Sequence, residues 1–119
     1  MIIVEKNAGQ KIDYELNGTK LSFADDELVI NMARYQRDYA VTKDIMLDSE
    51  GYLVMGRGDA YIAQVEIPEI EYEETTETIT ETDDGGNEVE REVVTRTALP
   101  LDTDKVTLYL FSIEGLIIQ

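Results

Sequence analysis

The stretch that decides the fold runs from Lys11 to Phe23 and reads KIDYELNGTKLSF. Apolar and polar side chains alternate on both sides of Asn17-Gly18, and a period of two residues is typical of β-strands that bury one face. Asn-Gly between two alternating runs is a strong hairpin signal, because both residues accept positive φ angles. The sequence therefore predicts an antiparallel hairpin with strands at 10–16 and 19–24.

Alternation continues through much of the remaining chain and predicts four further strands. They lie at 41–47, 52–55, 61–67 and 105–113, and short turn-forming segments separate the first three. The last run is apolar on both faces, so we expect a central strand that is buried on both sides.

The predicted core consists of apolar residues at inward-facing positions of these segments. They are Ile12, Tyr14, Leu21, Phe23, Leu28, Ile45, Leu47, Leu53, Val65, Val106, Leu108 and Leu110. Tyr61 is expected on the same face of its strand as Val65, because the two residues are separated by an even number of positions. Locally joined short strands favour an all-β fold, an antiparallel sandwich or barrel of about 8–9 strands.

The segment 25–39 fits two structures. Leu28 and Met32 are spaced as on one face of a helix, whereas Leu28, Ile30 and Met32 also alternate as in a strand. The alternation favours a strand over 27–35, and a single helix within 25–39 is the alternative.

The acidic character of this 119-residue chain is concentrated in one segment. The chain has 26 Asp+Glu and 10 Lys+Arg, a formal charge of −16, and residues 66–93 alone carry a net charge of −11. A turn signal at 83–87 separates two flanks rich in strand-forming Thr, Val and Ile. The sequence predicts a single β domain over 1–119 with a long acidic hairpin at 71–97. That hairpin has few apolar residues and is expected to project from the body or to be poorly ordered.

Residue types that are absent exclude several kinds of chemistry. The chain has no Cys, His or Trp. The lack of Cys excludes disulfides, thiolate nucleophiles and iron–sulfur clusters, and the lack of His removes the usual general base and the commonest metal ligand. The negative charge argues against direct binding to nucleic acid or to an anionic membrane. We therefore predict no catalytic residues, no cofactor and no metal site.

Carboxylates cluster at 25–27, 83–84 and 102–104, and such pairs act as the acid and base of some hydrolases. Oxygen-rich runs at 48–51 and 83–88 hold the ligand types that calcium prefers. Neither run has the spacing of an EF-hand loop, and the same residue types form ordinary turns. Turns are the favoured interpretation, with a carboxylate-based hydrolase and weak calcium binding as alternatives.

The acidic hairpin is the segment of the chain that suggests a function. Its charge either protects a sheet edge from aggregation or contacts a basic partner that offsets its own repulsion. The candidate partner-binding residues are Glu73, Glu74, Glu77, Glu81, Asp83, Asp84, Glu88, Glu90 and Glu92.

Four stretches, Lys11–Tyr14, Phe23–Leu28, Val65–Pro68 and Leu101–Leu108, carry a resemblance that covers most of the chain. They resemble small uncharacterised acidic proteins of phage or prophage-like elements in Gram-positive gut bacteria. The resemblance implies a structural or accessory role in a phage particle and supplies no catalytic residue.

The expected function is that of a non-enzymatic assembly or accessory protein. Its expected partner is another protein, of basic charge, and a homo-oligomer is a further expectation. The alternative is an acidic DNA mimic that occupies a nucleic-acid-binding protein, although a mimic needs charge spread over a duplex-like face. The amino terminus has no signal-peptide pattern, so the expected location is the cytoplasm, or the virion for a phage-derived protein.

Overall fold

The computed structural model describes residues 1–119, and its regular structure is almost entirely β. Ten strands follow one another along the chain: β1 (Ile2–Glu5), β2 (Tyr14–Asn17), β3 (Lys20–Phe23), β4 (Leu28–Asn31), β5 (Val41–Leu47), β6 (Leu53–Met55), β7 (Ala60–Ile67), β8 (Tyr72–Thr82), β9 (Glu88–Ala98) and β10 (Thr107–Leu110). Two 3₁₀ helices, Met32–Tyr35 and Thr103–Lys105, complete the fold. The prediction of an all-β fold is confirmed. No helix has the length and apolarity needed to cross a membrane.

The chain divides into two compact units. The body, residues 1–70 with 101–119, contains a five-stranded sheet in the order β1-β10-β7-β5-β6 and a three-stranded sheet in the order β2-β3-β4. The second unit, residues 71–100, is the antiparallel pair β8-β9 and is called the acidic hairpin below. Its bounds agree with the predicted hairpin at 71–97 to within three residues.

Both sheets of the body contribute to one hydrophobic core. Leu21 and Phe23 of β3 belong to the same buried cluster as Val65 of β7 and Leu108 of β10. The body is therefore sandwich-like, and neither sheet closes into a barrel. Ten of the predicted core residues are buried: Ile12, Leu21, Phe23, Ile45, Leu47, Leu53, Val65, Val106, Leu108 and Leu110.

The predicted hairpin around Asn17-Gly18 is present, with its turn one residue later than expected. Asn17 pairs with Lys20, so Gly18 and Thr19 are the two turn residues. Gly18 has a φ of +62°, whereas Thr19 does not have a positive φ, as expected for a type II′ turn with glycine first. The prediction of Tyr14 in the core is wrong: it lies on β2, an edge strand of its sheet, and is 40% exposed.

The segment 25–39 combines both predicted structures. β4 is a strand, as favoured, but it ends at Asn31, and the 3₁₀ helix Met32–Tyr35 follows. The strand ends there because its neighbour β3 begins at Lys20, which pairs with Asn31. The backbone N–H of Met32 then donates to the carbonyl of Thr19, and the Met32 side chain is fully buried.

A β-bulge corrects the prediction for Tyr61. Ile45 of β5 pairs with Ala63 and the next residue, Met46, pairs with Tyr61, so Ile62 is the extra residue in β7. An extra residue reverses the alternation of side chains along a strand. Ile62 is consequently fully buried, whereas Tyr61 is 48% exposed and does not share the buried face of Val65.

One strand pair departs from the antiparallel prediction. β1 runs parallel to β10, with Ile3 paired to Leu108. The run predicted as a strand over 105–113 is shorter than expected, because Lys105 belongs to a 3₁₀ helix capped by the Asp102 carboxylate. β10 lies between β1 and β7, so it is an interior strand, although only one of its faces is fully buried.

Candidate functional site

The acidic hairpin is a long and regular ladder. β8 and β9 each contain 11 residues and pair without a bulge from Tyr72–Ala98 to Thr82–Glu88. Threonine and valine supply β propensity at most positions that are not acidic. Nearly all of its side chains are exposed. Tyr72, Ile79 and Val93 are half-buried, and Ile79 and Val93 lie on the same face.

Asp83 shapes the tip of the acidic hairpin. Its Oδ1 atom accepts hydrogen bonds from the backbone N–H groups of Gly85 (3.0 Å) and Asn87 (2.8 Å). The Asp83 N–H donates to the carbonyl of Asn87 (2.8 Å), and Gly86 takes a φ of +79°. This predicted partner-binding carboxylate is therefore used to form the turn, whereas Asp84 is exposed and makes no such contact.

Register and alternation divide the remaining side chains of the hairpin between two faces, because directly paired residues point to the same side. The threonine–glutamate face is formed by Tyr72, Glu74, Thr76, Thr78, Thr80 and Thr82 of β8 and by Glu88, Glu90, Glu92, Val94, Arg96 and Ala98 of β9. The mixed face is formed by Glu73, Thr75, Glu77, Ile79 and Glu81 of β8 and by Val89, Arg91, Val93, Thr95 and Thr97 of β9.

The register keeps carboxylates apart across the ladder. Glu88, Glu90 and Glu92 lie opposite threonines, Glu77 and Glu81 lie opposite valines, and Glu74 lies opposite Arg96. Like charges directly opposite each other destabilise a strand pair, and this register contains none. The remaining like-charge contacts run along β9, where neighbouring glutamates on one face are about 6.8 Å apart.

Both arginines of the hairpin have partners inside it. Arg91 Nη2 lies 2.9 Å from Glu81 Oε1, and Arg96 Cζ lies 3.5 Å from the centroid of the Tyr72 ring. The first pair is well exposed, and ion pairs of this kind contribute little to stability. The glutamates at 88, 90 and 92 form no ion pair, and we call these three residues the glutamate row.

The structure therefore separates the candidate residues into groups. It brings Glu88, Glu90 and Glu92 together, with Glu74 on the same face opposite Arg96, and places Glu73, Glu77 and Glu81 on the opposite face. Asp83 is used in the turn, and Asp84 is exposed at the tip. The sequence analysis did not assign Arg91 and Arg96 to the site. Counting outward from the turn at 83–87 with a period of two would have placed both arginines, because the ladder has no bulge.

The other acidic clusters lie in exposed turns. Asp48 Oδ1 accepts the N–H groups of Glu50 and Tyr52, both at 2.9 Å, and Asp102 Oδ1 accepts that of Asp104 at 3.0 Å. Asp25 and Asp26 lie in the turn between β3 and β4. No group of three or more acidic side chains is arranged to hold a metal ion.

Comparison with known protein families, with characterised proteins and with solved structures gives no match to this chain. Function is therefore inferred from the geometry and charge of the molecule itself.

Proposed function

We propose that the protein is a non-enzymatic assembly or accessory protein that binds a basic partner protein through the acidic hairpin. The observation that carries this proposal is the charge of residues 71–100. They hold ten acidic and two basic residues, a formal charge of −8, and the glutamate row has no internal cation. A row of unneutralised carboxylates on an ordered surface attracts a basic surface and steers its approach.

The core of the body gives no reason for the hairpin to be so long. All sixteen buried apolar side chains lie outside residues 71–100. A two-stranded ladder in water is marginally stable by itself, because it buries little apolar surface. Contact with a partner would supply the missing buried surface and neutralise the carboxylates, which supports binding as the purpose of the element.

The resemblance to proteins of phage and prophage-like elements indicates where such a protein would act. We place the protein in the assembly or accessory machinery of such an element, in the cytoplasm or in the virion. A second copy of the chain is a further partner in this setting, since particles are built from repeated subunits.

A DNA mimic is less well supported. The carboxylates are divided between two faces, and the row on β9 contains three residues. A mimic needs charge spread over a duplex-like face, and three carboxylates along one strand do not form such a face.

The proposal is tested by co-expression of the chain with the proteins encoded by adjacent genes. The matched variant replaces residues 75–95 by Asn-Gly, which leaves Glu74 and Arg96 beside a two-residue turn. We expect a basic protein to co-purify with the intact chain, to be lost from the variant, and to dissociate as salt is raised. Equal recovery of that protein with the variant would contradict the proposal. Displacement of the partner by duplex DNA would indicate a DNA mimic instead.

A further inference from the structure

The edge of β9 that faces away from β8 is unpaired over its whole length. β9 has β8 as its sole neighbour in the sheet, and residues 88–98 form no backbone hydrogen bond outside that ladder. An edge strand presents a row of free N–H and C=O groups, and proteins commonly block such an edge with a proline, a bulge or charged side chains. β9 has neither proline nor a bulge, and its carboxylates repel an acidic strand and attract a basic one, so its backbone is able to accept a basic strand.

The side chains along this edge follow a regular pattern. On one face stand Glu88, Glu90 and Glu92, and on the other stand Val89, Arg91 and Val93. The edge of β8 has no comparable charge row, because its threonine–glutamate face carries threonine at four successive positions from Thr76 to Thr82. The carboxylates of β8 that share a face, such as Glu73 and Glu77, are four residues apart. Charge spacing therefore distinguishes the edge of β9 from that of β8.

We infer that an extended basic segment of the partner protein adds to β9 as a third strand of the acidic hairpin. In this arrangement Lys or Arg residues at alternate positions lie opposite the glutamate row, and apolar residues lie opposite Val89 and Val93. Cross-strand neighbours are about 5 Å apart, so each cation reaches its carboxylate directly. This inference rests on the proposed function and specifies its mode of binding.

A second copy of the chain is the less suitable occupant of this edge. Pairing of β9 with β9 of another copy would bring two glutamate rows together, and like charges on adjacent strands are destabilising. The basic strand has the opposite effect, because it neutralises repulsion that the hairpin already contains.

The inference predicts a readable pattern in the partner. Opposite Glu88 through Val93, in that order, an added parallel strand reads basic, apolar, basic, polar, basic, apolar, and an antiparallel strand keeps its basic residues at the same alternate positions. The test peptide KVKTKV has this pattern and is flanked by neutral caps. Two control peptides separate strand addition from simple charge attraction. One is KKKVTV, which has the same composition with contiguous lysines, and the other is KVKTKV with N-methyl groups on the amides that would face β9.

Binding of the three peptides to the full chain is measured by fluorescence anisotropy at low salt. We expect KVKTKV to bind on the order of tenfold more tightly than KKKVTV, and N-methylation to remove that advantage. Hydrogen exchange with KVKTKV bound should show new protection at residues 88–94.

A matched pair of variants locates the edge. Glu90→Gln with Glu92→Gln and Glu73→Gln with Glu77→Gln each remove two negative charges from exposed positions that form no ion pair. We expect the first pair to weaken KVKTKV binding on the order of tenfold and the second pair to weaken it less than about threefold.

The results that overturn the inference differ from those that overturn the proposed function. Equal binding of all three peptides would show charge attraction without strand addition, and new protection confined to residues 72–82 would assign the edge to β8. Failure of all three peptides to bind would also overturn the inference. The proposed function is tested separately from this inference, by whether the basic partner still co-purifies after residues 75–95 are replaced.

Discussion

Three consecutive residues in the turn between β3 and β4 hold left-handed backbone conformations. The φ angles are +52° at Ala24, +52° at Asp25 and +68° at Asp26. The left-handed region costs a residue with a Cβ atom roughly 1–2 kcal/mol, less for Asp and Asn than for Ala, and nothing comparable for Gly. The turn therefore stores strain at positions where the sequence has no glycine.

Substitution of Asp26 measures this strain. Asp26 is exposed, so a change there acts mainly through the backbone. We expect Asp26→Gly to raise the free energy of unfolding by about 0.5 kcal/mol and Asp26→Ala to lower it by about 0.5–1 kcal/mol, as measured by urea denaturation. Asp26→Asn removes the charge and keeps the tolerance for a positive φ, so it serves as the control. Equal stability of the Gly and Ala variants would contradict the assignment of strain.

The ionisation of Tyr109 is coupled to the fold. Its hydroxyl donates a hydrogen bond to Glu66 Oε2 at 3.1 Å, and Lys6 Nζ lies 4.7 Å from the centroid of its ring. The hydrogen bond to Glu66, reinforced by partial desolvation and by the carboxylate charge, raises the pKa of Tyr109 above its ordinary value of 10.0. The folded state therefore holds the phenol proton more tightly than the unfolded state does.

The stabilising effect of that proton depends on pH with a defined sign. It is fully present below pH 10.0, the ordinary pKa, and is lost as pH rises through the raised pKa of Tyr109. In an ultraviolet titration we expect a tyrosine component that ionises above pH 10.0, and we expect Tyr109→Phe to remove that late component. Glu66→Gln should move the pKa of Tyr109 back toward its ordinary value. A late component that persists in Tyr109→Phe would assign it to another tyrosine.

At the scale of elements, local structure was predictable and long-range structure was not. The acidic hairpin was predicted to within a few residues, because a turn signal and an alternating pattern lie side by side in the sequence. The parallel pairing of β1 with β10 joins the two ends of the chain, and the four residues Ile2–Glu5 are too few to show a pattern. Ile62 was missed because a bulge reverses alternation without leaving a mark in the sequence.

The candidate site was predictable in composition and not in arrangement. Residue counts identified the acidic segment, but the division of its carboxylates between two faces depends on the register set by the tip. Tyr14 shows the same limit in the core, since alternation predicts which face a residue occupies and not how much of that face is covered.

The elements of the chain should differ in local stability. β10 is paired on both sides and carries the buried residues Leu108 and Leu110, whereas β8 and β9 are paired on one side and carry no fully buried residue. Amides exchange through local opening where few apolar contacts hold a segment closed. We expect the opening free energy of amides at 82–88 to be at least about 2 kcal/mol below that of β10 in hydrogen exchange on the free protein. Equal protection of the two segments would mean that the hairpin is held by contacts beyond its ladder.

At the scale of the whole molecule, charge and apolar burial are distributed unequally. The body and the acidic hairpin each carry a formal charge of −8, but the body spreads it over 89 residues and the hairpin over 30. The core cluster and the half-buried apolar residues that pack against it all belong to the body. Folding of the body should therefore be independent of most of the hairpin.

Replacement of residues 75–95 by Asn-Gly tests this independence. The change removes seven carboxylates and Arg91, and it keeps both Tyr72 and the Arg96 side chain that stacks on it. Six of the seven tyrosines lie in the body, so near-ultraviolet circular dichroism reports on the body almost alone. We expect the body to unfold at the same temperature as in the intact chain or slightly higher, because no buried side chain is lost and negative charge is removed. The difference should be largest at low salt and should vanish as screening increases.

The full-length variant Glu73→Gln, Glu77→Gln, Glu90→Gln, Glu92→Gln is the control for charge, and it should show part of the same rise in unfolding temperature. A body that unfolds at markedly lower temperature after the replacement, while the control variant stays stable, would establish the hairpin as part of the structure that holds the body together.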